Sequence, residues 1–149
     1  MATPPPNSKR FIIRDLTLSE FPLVLPLIIK HNTKIAPEEL RRRLEEMIPK
    51  GYHCIAACDE NGAIVGVAGY WLFSRFYSGL YMDVDNVVVD ETLRSGGIGA
   101  AMMDWLEDHA RQLGCKSVML DSYVTLARAH KFYFRRGYEI LGYHFRKEL

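Results

Sequence analysis

Val87-Val88-Val89-Asp90-Glu91-Thr92-Leu93-Arg94-Ser95-Gly96-Gly97-Ile98-Gly99-Ala100 is the stretch on which the reading of this chain turns. A β-branched run ends in a polar turn, and three glycines then fall within four residues. An amphipathic pattern starts at once, with Ile98, Met102, Trp105 and Leu106 on one side and Asp104, Glu107, Asp108 and Arg111 on the other, closed by Gly114. The first N–H groups of a helix have no partner inside it. Glycines let a ligand come close to the backbone, and the helix dipole favours an anion there. Arg94 adds a fixed cation. The stretch therefore predicts a strand, a loop and a helix whose Arg94, Ser95, Gly96, Gly97, Ile98, Gly99 and Ala100 cradle a phosphate or diphosphate.

Two common phosphate sites are disfavoured. No Lys follows the glycines, as nucleoside triphosphate hydrolysis on a G-x-x-x-x-G-K-[ST] loop would need. Asp121 ends the next strand, roughly where a ribose-binding acid sits in a dinucleotide site, but too little chain follows it for the remaining βα units. A nicotinamide-dependent oxidoreductase remains a distant alternative.

Upstream, Arg10–Arg14 reads as a strand, and Thr17-x-x-Glu20 is a capping box opening a helix to about Lys30, with Pro22 in its first turn and Pro26 kinking its interior. Pro37 starts a second helix with Leu40, Leu44 and Met47 as its apolar stripe; Arg41, Arg42 and Arg43 stand among glutamates and read as a solvated face. Tyr52–Cys58, Ala63–Phe73 and Leu80–Val89 are an antiparallel meander, its first turn Asp59-Glu60-Asn61-Gly62. Lys116–Asp121 is a short strand, Leu126–Arg136 a last helix, and Tyr138–Ile140 with Tyr143–Arg146 a terminal hairpin. A meander followed by a βαβ unit makes an α+β fold, with a mostly antiparallel mixed sheet of six to seven strands and about four helices.

The chain's 149 residues suit a single domain, 1–149, with a flexible N-terminus over 1–9. Nineteen basic residues against eighteen acidic leave a net charge of +1, which argues against a nucleic-acid partner. No apolar run is long enough to span a bilayer, and the first ten residues have no secretory h-region, so no membrane association is expected. Cys54, Cys58 and Cys115 form neither a zinc motif nor a disulfide framework, so no metal and a reducing cytoplasm are expected.

Arg94-Ser95-Gly96-Gly97-Ile98-Gly99-Ala100 fits R-x-x-G-x-G/A, and Ala129-His130-Lys131-Phe132-Tyr133 with Gly137-Tyr138 resembles an A-x-x-F-Y-x-x-x-G-F ending. Together, on elements in this order, they resemble the GCN5-related N-acetyltransferase (GNAT) superfamily over nearly the whole chain. The resemblance implies an acetyltransferase fold that moves the acetyl group of acetyl-CoA to an amine, releasing CoA. It implies that the backbone of Val87, Val88 and Val89 pairs with the pantetheine arm, that the Val87 N–H faces the thioester carbonyl, and that amides from Arg94 to Ala100 hold the diphosphate. Tyr133 would stand near the sulfur and protonate the leaving thiolate. Leu126 occupies a position where many relatives have a cofactor-contacting Asn, Glu91 replaces a common Pro, and Ser95-Gly96 replaces a Gly-basic pair.

An ammonium cannot attack an acyl group, so the acceptor needs a base. Asp83 and Asp85 are the candidates, since period two puts them on one strand face with Val87 and Val89 unless a bulge intervenes. A negative pair there would also draw in a cationic substrate. Tyr70, Trp71, Phe73, Phe76, Tyr77 and Tyr81 crowd the second hairpin, either as acceptor pocket or as core and homodimer interface. The expected acceptor is a small or amino-acid-like primary amine. A peptide acceptor, or a non-catalytic acyl-CoA-binding module on the same fold, are the alternatives.

Overall fold

The computed structural model describes residues 11–149, so the expected flexible segment over 1–9 lies outside the described residues. It falls into two compact units, one running to Met119 and a second over Leu120–Leu149. In the first, β1 (Phe11–Asp15) leads through a 3-10 helix (Leu18–Val24) into α1 (Leu25–His31) and α2 (Pro37–Met47). Then come β2 (His53–Asp59), β3 (Ile64–Arg75), β4 (Gly79–Val89), α3 (Ile98–Gln112) and β5 (Ser117–Leu120). The sheet order is β1-β2-β3-β4-β5, with β1 to β4 paired antiparallel. From α3 the chain returns to the start of β4, where the Lys116 N–H donates to the Leu80 carbonyl at 2.8 Å, as a β-α-β crossover requires.

The local rules explain most element boundaries. Asp59 Oδ1 accepts from the N–H groups of Asn61 and Ala63, both at 2.9 Å, which shapes the hairpin turn between β2 and β3. Thr17 donates its N–H to Glu20 Oε2 at 2.9 Å, and Arg14 Nη1 donates to the same oxygen at 3.0 Å. The Arg14 guanidinium and the Thr17 N–H hold the Glu20 carboxyl down at about 2. The stabilisation this carboxylate brings is present above its ordinary value and is lost as the pH falls toward about 2. Arg42 and Arg43 lie 2.8 Å from Glu39, pairing the basic run along α2 with its own glutamates.

Two expectations are corrected. Pro26 does not kink a helix interior: the chain divides into the 3-10 helix and α1, and Pro26 sits in the first turn of α1. There its missing N–H forfeits no helical hydrogen bond. The sheet has five strands among the described residues rather than six to seven, because 138–149 form no strand. Ile140, Leu141, Tyr143 and Phe145 remain 69% to 91% exposed. A hairpin that buries neither face is marginal in water. The four α-helices among the described residues agree with the expected number.

Side-chain alternation assigns the sheet two faces. Cys54, Ala56, Cys58 and Val67 point into a cluster with Phe21, Val24, Leu27, Leu44 and Tyr52, beneath the 3-10 helix, α1 and α2. On the other face α3 buries Ile98, Met102, Met103, Leu106 and Ala110, and Ile98 and Met102 close on Gly66. The Tyr52 ring lies directly across Gly69, so closely that a Cβ there would overlap its hydroxyl. In the second unit, α4 (Ala127–Arg135) ends in a two-bond cap, with Tyr138 N–H to the Tyr133 carbonyl and Gly137 N–H to the Phe134 carbonyl, both at 3.0 Å.

Gly69→Ala is expected to destabilise the protein by about 2 kcal/mol, the cost of overpacking a fixed ring. Thermal denaturation of the variant checks this, and an unchanged midpoint would contradict the packing described.

Candidate active site

A bulge in β4 decides what the site can be. Gly69 pairs with Asp85 but Val67 pairs with Val88, so β4 carries one extra residue there, and Asn86 takes φ of 52°. Before the bulge, the Leu80 carbonyl faces β5, so the peptide groups of Leu80, Met82 and Val84 point to that edge. After it, the Asp90 N–H donates to the Val65 carbonyl at 2.8 Å, so Asp90 and Val88 point toward β3 instead. The peptide groups of Val87 and Val89 are therefore the ones turned away from β3. β5 has only four residues against eleven in β4 and begins beside Leu80, so Val87–Val89 extend past its end.

The bulge also settles the side chains. Trp71 pairs with Asp83, Gly69 with Asp85 and Val67 with Val88, so Asp83 and Asp85 share their face with Val88. They do not share it with Val87 and Val89, which corrects the plain period-two expectation. Asp85 Oδ2 accepts from Trp71 Nε1 at 3.4 Å. The Trp71 ring stacks on Phe73, with centroids 6.0 Å apart and planes at 11°, and lies 5.3 Å from Tyr52. Burial pushes the Tyr52 phenol well up, and Asn86 Nδ2 donates to its oxygen at 3.4 Å. Two carboxylates thus stand beside a row of aromatic faces, an arrangement suited to an organic cation. Phe76 and Tyr77, at the hairpin tip, are fully to largely exposed.

Past β4, Asp90 accepts from Thr92 N at 2.9 Å and organises the turn. The chain then passes Arg94, Ser95 at φ of 71° and Gly97 at φ of 81° into α3. Gly97 is the N-cap and supplies no side-chain bond, and the first helical N–H to find a partner is that of Ala101, to the Gly97 carbonyl. The N–H groups of Ile98, Gly99 and Ala100 are left directed out of the helix end. Gly96 N–H is committed to the Leu93 carbonyl at 3.2 Å, so its amide serves the turn. Ile98 is buried, so it offers only its backbone. A Cβ at Gly97 would meet no atom within 4 Å, so the space above the turn is open. Arg94 Nη2 lies 3.1 Å from His31 Nε2 and 3.6 Å from Glu91 Oε1.

Leu126 and Tyr133 belong to the second unit, Leu126 as the N-cap of α4 and Tyr133 on its last turn. The Tyr133 ring meets Tyr138 edge-on, with centroids 5.7 Å apart, and Phe132 at 5.2 Å. Burial raises the Tyr133 phenol above its ordinary value, against a smaller opposite effect of Arg136. It therefore holds its proton at neutral pH. Asp121 accepts from or pairs with His144 Nδ1 at 3.0 Å.

Three contacts here had no signal strong enough to find in the sequence. The bulge at Asn86 had only the weak hint that Asn tolerates positive φ. The Trp71–Asp85 bond depends on the register that the bulge sets. His31 and Arg94 are separated by 63 positions, and neither belongs to a common motif with the other.

With this geometry in view, similarity to known proteins is informative. Residues 13–138 match the model of the Acetyltransferase (GNAT) family, and the chain belongs to that family. It is 30% identical to an uncharacterized N-acetyltransferase of Bacillus subtilis, YhdJ, over 82% of this chain and 87% of that protein. It is also 30% identical to the aminoalkylphosphonate N-acetyltransferase of Salmonella typhimurium, over 60% of this chain and 58% of the relative. The crystal structure of glucosamine-6-phosphate N-acetyltransferase from Arabidopsis thaliana superposes with a TM-score of 0.71 at 25% identity, covering 94% of this chain and 99% of that one. The protein is an acetyl-transferring enzyme of a family that uses acetyl-CoA. Among the described residues no helix is long and apolar enough to cross a membrane, and no group of three or more His, Cys, Asp or Glu is placed to hold a metal.

The loop suits the diphosphate of that substrate: outward amides at a helix start, a positive-φ glycine with open space above it, and one guanidinium. Gly97→Val should weaken acetyl-CoA binding at least tenfold, because a β-branched residue resists positive φ and fills the open space. Calorimetric titration of the variant measures this; wild-type affinity would remove the loop from the substrate site.

Proposed function

We propose that the protein transfers the acetyl group of acetyl-CoA to the primary amine of a small, amino-acid-like acceptor, by direct attack in a ternary complex. The observation that carries this reading is the outward turn of the Val87 and Val89 peptide groups beside the amide-lined start of α3. Acetyl-CoA supplies the activated acyl group. The Val87 and Val89 peptide groups, flanking Val88, bind the pantetheine arm as an added strand would be bound. Arg94, Ser95, Gly97, Ile98, Gly99 and Ala100 hold the diphosphate, with Gly96 bracing the turn. The Val87 N–H donates to the oxygen on which negative charge develops.

The rest is proton bookkeeping. Asp83 takes the ammonium proton, directly or through water, and Asp85, oriented by Trp71, adds negative potential for the cation. The amine nitrogen then forms its bond to the acyl carbon as the carbon–sulfur bond breaks. By the family resemblance, Tyr133 gives its proton to the sulfur, and the second proton that the nitrogen sheds as the amide forms returns through water to the phenolate. Transfer from a phenol near 10 to a thiolate near 8.5 is uphill by about 2 kcal/mol in water. A dry site that disfavours a bare thiolate offsets this.

The acceptor class draws support from relatives named for acting on an aminoalkylphosphonate and on glucosamine 6-phosphate, both small amines. The aromatic row beside Asp83 and Asp85 suits such a cation. The chain works as a single acetyltransferase domain over 1–149, in a cytoplasm where its free thiols Cys54, Cys58 and Cys115 stay reduced.

The decisive experiment follows CoA thiol release against a panel of small amines and N-terminal peptides. Acceleration by small amines supports the reading. Peptide preference would move the acceptor class, and binding without turnover would leave an acyl-CoA-binding module. Tyr133→Phe should lower kcat about 100-fold while leaving acetyl-CoA affinity within about twofold. Because burial raises the phenol, the Tyr133-dependent fall in rate at alkaline pH should lie above the ordinary phenol range and vanish in the Phe variant. Asp83→Asn should reduce kcat more than Asp85→Asn; steady-state rates of the two variants at saturating substrate decide which carboxylate is the base.

A further inference from the structure

The C-terminal end of α1 touches the loop at two places. Lys30 Nζ lies 3.7 Å from Asp90 Oδ2, the residue that organises the turn. His31 meets Arg94, its Nε2 lying 3.1 Å from Arg94 Nη2. The other ring nitrogen, Nδ1, lies 3.1 Å from the Leu27 carbonyl oxygen, which can only accept. Nδ1 therefore carries the hydrogen, and in the neutral ring Nε2 is a bare acceptor. Arg94 donates to it.

The same Nη2 stands 3.6 Å from Glu91 Oε1. The two hydrogens of this nitrogen thus serve His31 and Glu91 together, His31 at the shorter distance. A closer ion pair with Glu91 would commit the guanidinium to that carboxylate, whereas a neutral imidazole orients it and adds no opposing charge. Beside this contact, Lys30 of α1 pairs with Asp90 of the turn, and Glu91 of the turn stands by Arg94.

We infer that His31 is a positioning residue for the acyl-CoA site: its Nε2 keeps the Arg94 guanidinium from closing further onto Glu91, 3.6 Å away, and holds it in place for the diphosphate. This makes the end of α1 a working part of the substrate cradle. The inference rests on the reading of the Arg94 loop as the diphosphate site.

Calorimetric titration of the full chain with acetyl-CoA tests it, alongside thermal melts. Failure of the wild-type protein to bind would overturn the loop assignment itself. With binding established, His31→Ala should raise the acetyl-CoA dissociation constant by roughly fivefold, the scale of one oriented charge contact at a surface. Turnover at saturating acetyl-CoA should stay within about twofold. His31→Gln, which keeps an acceptor near the Nε2 position, should restore most of the affinity. Adding Glu91→Gln to His31→Ala should also recover affinity, because the competing carboxylate is gone. Wild-type affinity in His31→Ala overturns the inference. So does equal weakening in the Ala and Gln variants with lowered melting temperatures, which would mark a packing role. Nitrogen-15 spectra of the ligand-free protein should show the His31 hydrogen on Nδ1; a hydrogen on Nε2 of the neutral ring contradicts the contact.

Discussion

A β-strand can turn each peptide group to only one of two edges, and a single extra residue reverses the assignment for everything beyond it. This constraint governs the candidate site. With unbroken alternation from Leu80, Val88 would face outward and Val87 and Val89 would be committed to β3. The bulge at Asn86 exchanges them. It also places Val88 against the cluster beneath α1 and α2, so the core keeps its apolar face although the edge has been re-aimed. The positive φ of Asn86 is a local cost of one to three kcal/mol at most by typical values, and its side chain regains a contact with the Tyr52 hydroxyl.

Legibility of the sequence followed the range of the interactions. Asp59-Glu60-Asn61-Gly62, Thr17-x-x-Glu20 and Gly97 before Ile98 carry their own local physics, and the turn, the cap and the helix start formed where they were expected. Pro26 stands in the first turn of α1 and not inside one long helix, because spacing alone does not distinguish a short 3-10 segment from an α-helix. The terminal hairpin failed for the converse reason. Its alternation from Tyr138 to Arg146 is genuine, but alternation only pays off when a neighbouring surface covers one face. The glycine turn and the helix start that follows it were legible as a local motif. The partners of Asp85 and Arg94 were not, since Trp71 and His31 reach them only through register and helix placement.

The β3–β4 face combines two features that seldom coexist without purpose. Trp71, Phe73 and Tyr81 form a nearly continuous aromatic strip, and Asp83 and Asp85 are interleaved with it. Stacked rings alone would serve a core, yet Phe73 is 41% exposed and Trp71 is only half-buried. Carboxylates alone would serve a solvated edge, yet the Trp71 indole fixes one of them. A cation with an apolar body meets both conditions at once, because ring faces and carboxylates attract the same charge by different means.

Charge around the loop is distributed quite differently. Arg94 is its fixed cation, and Glu91 stands close enough to offset much of that charge at a distance. On the proposed reading of the loop, attraction of a doubly charged diphosphate would come mostly from peptide dipoles at the start of α3. Dipoles act at contact and are fixed by the backbone, so they select geometry more than they steer from afar. For that reason the orientation of one guanidinium matters more here than the overall charge balance. A loop with several cations could lose one alignment and still bind, whereas this loop has one side chain to align and needs an external group to hold it.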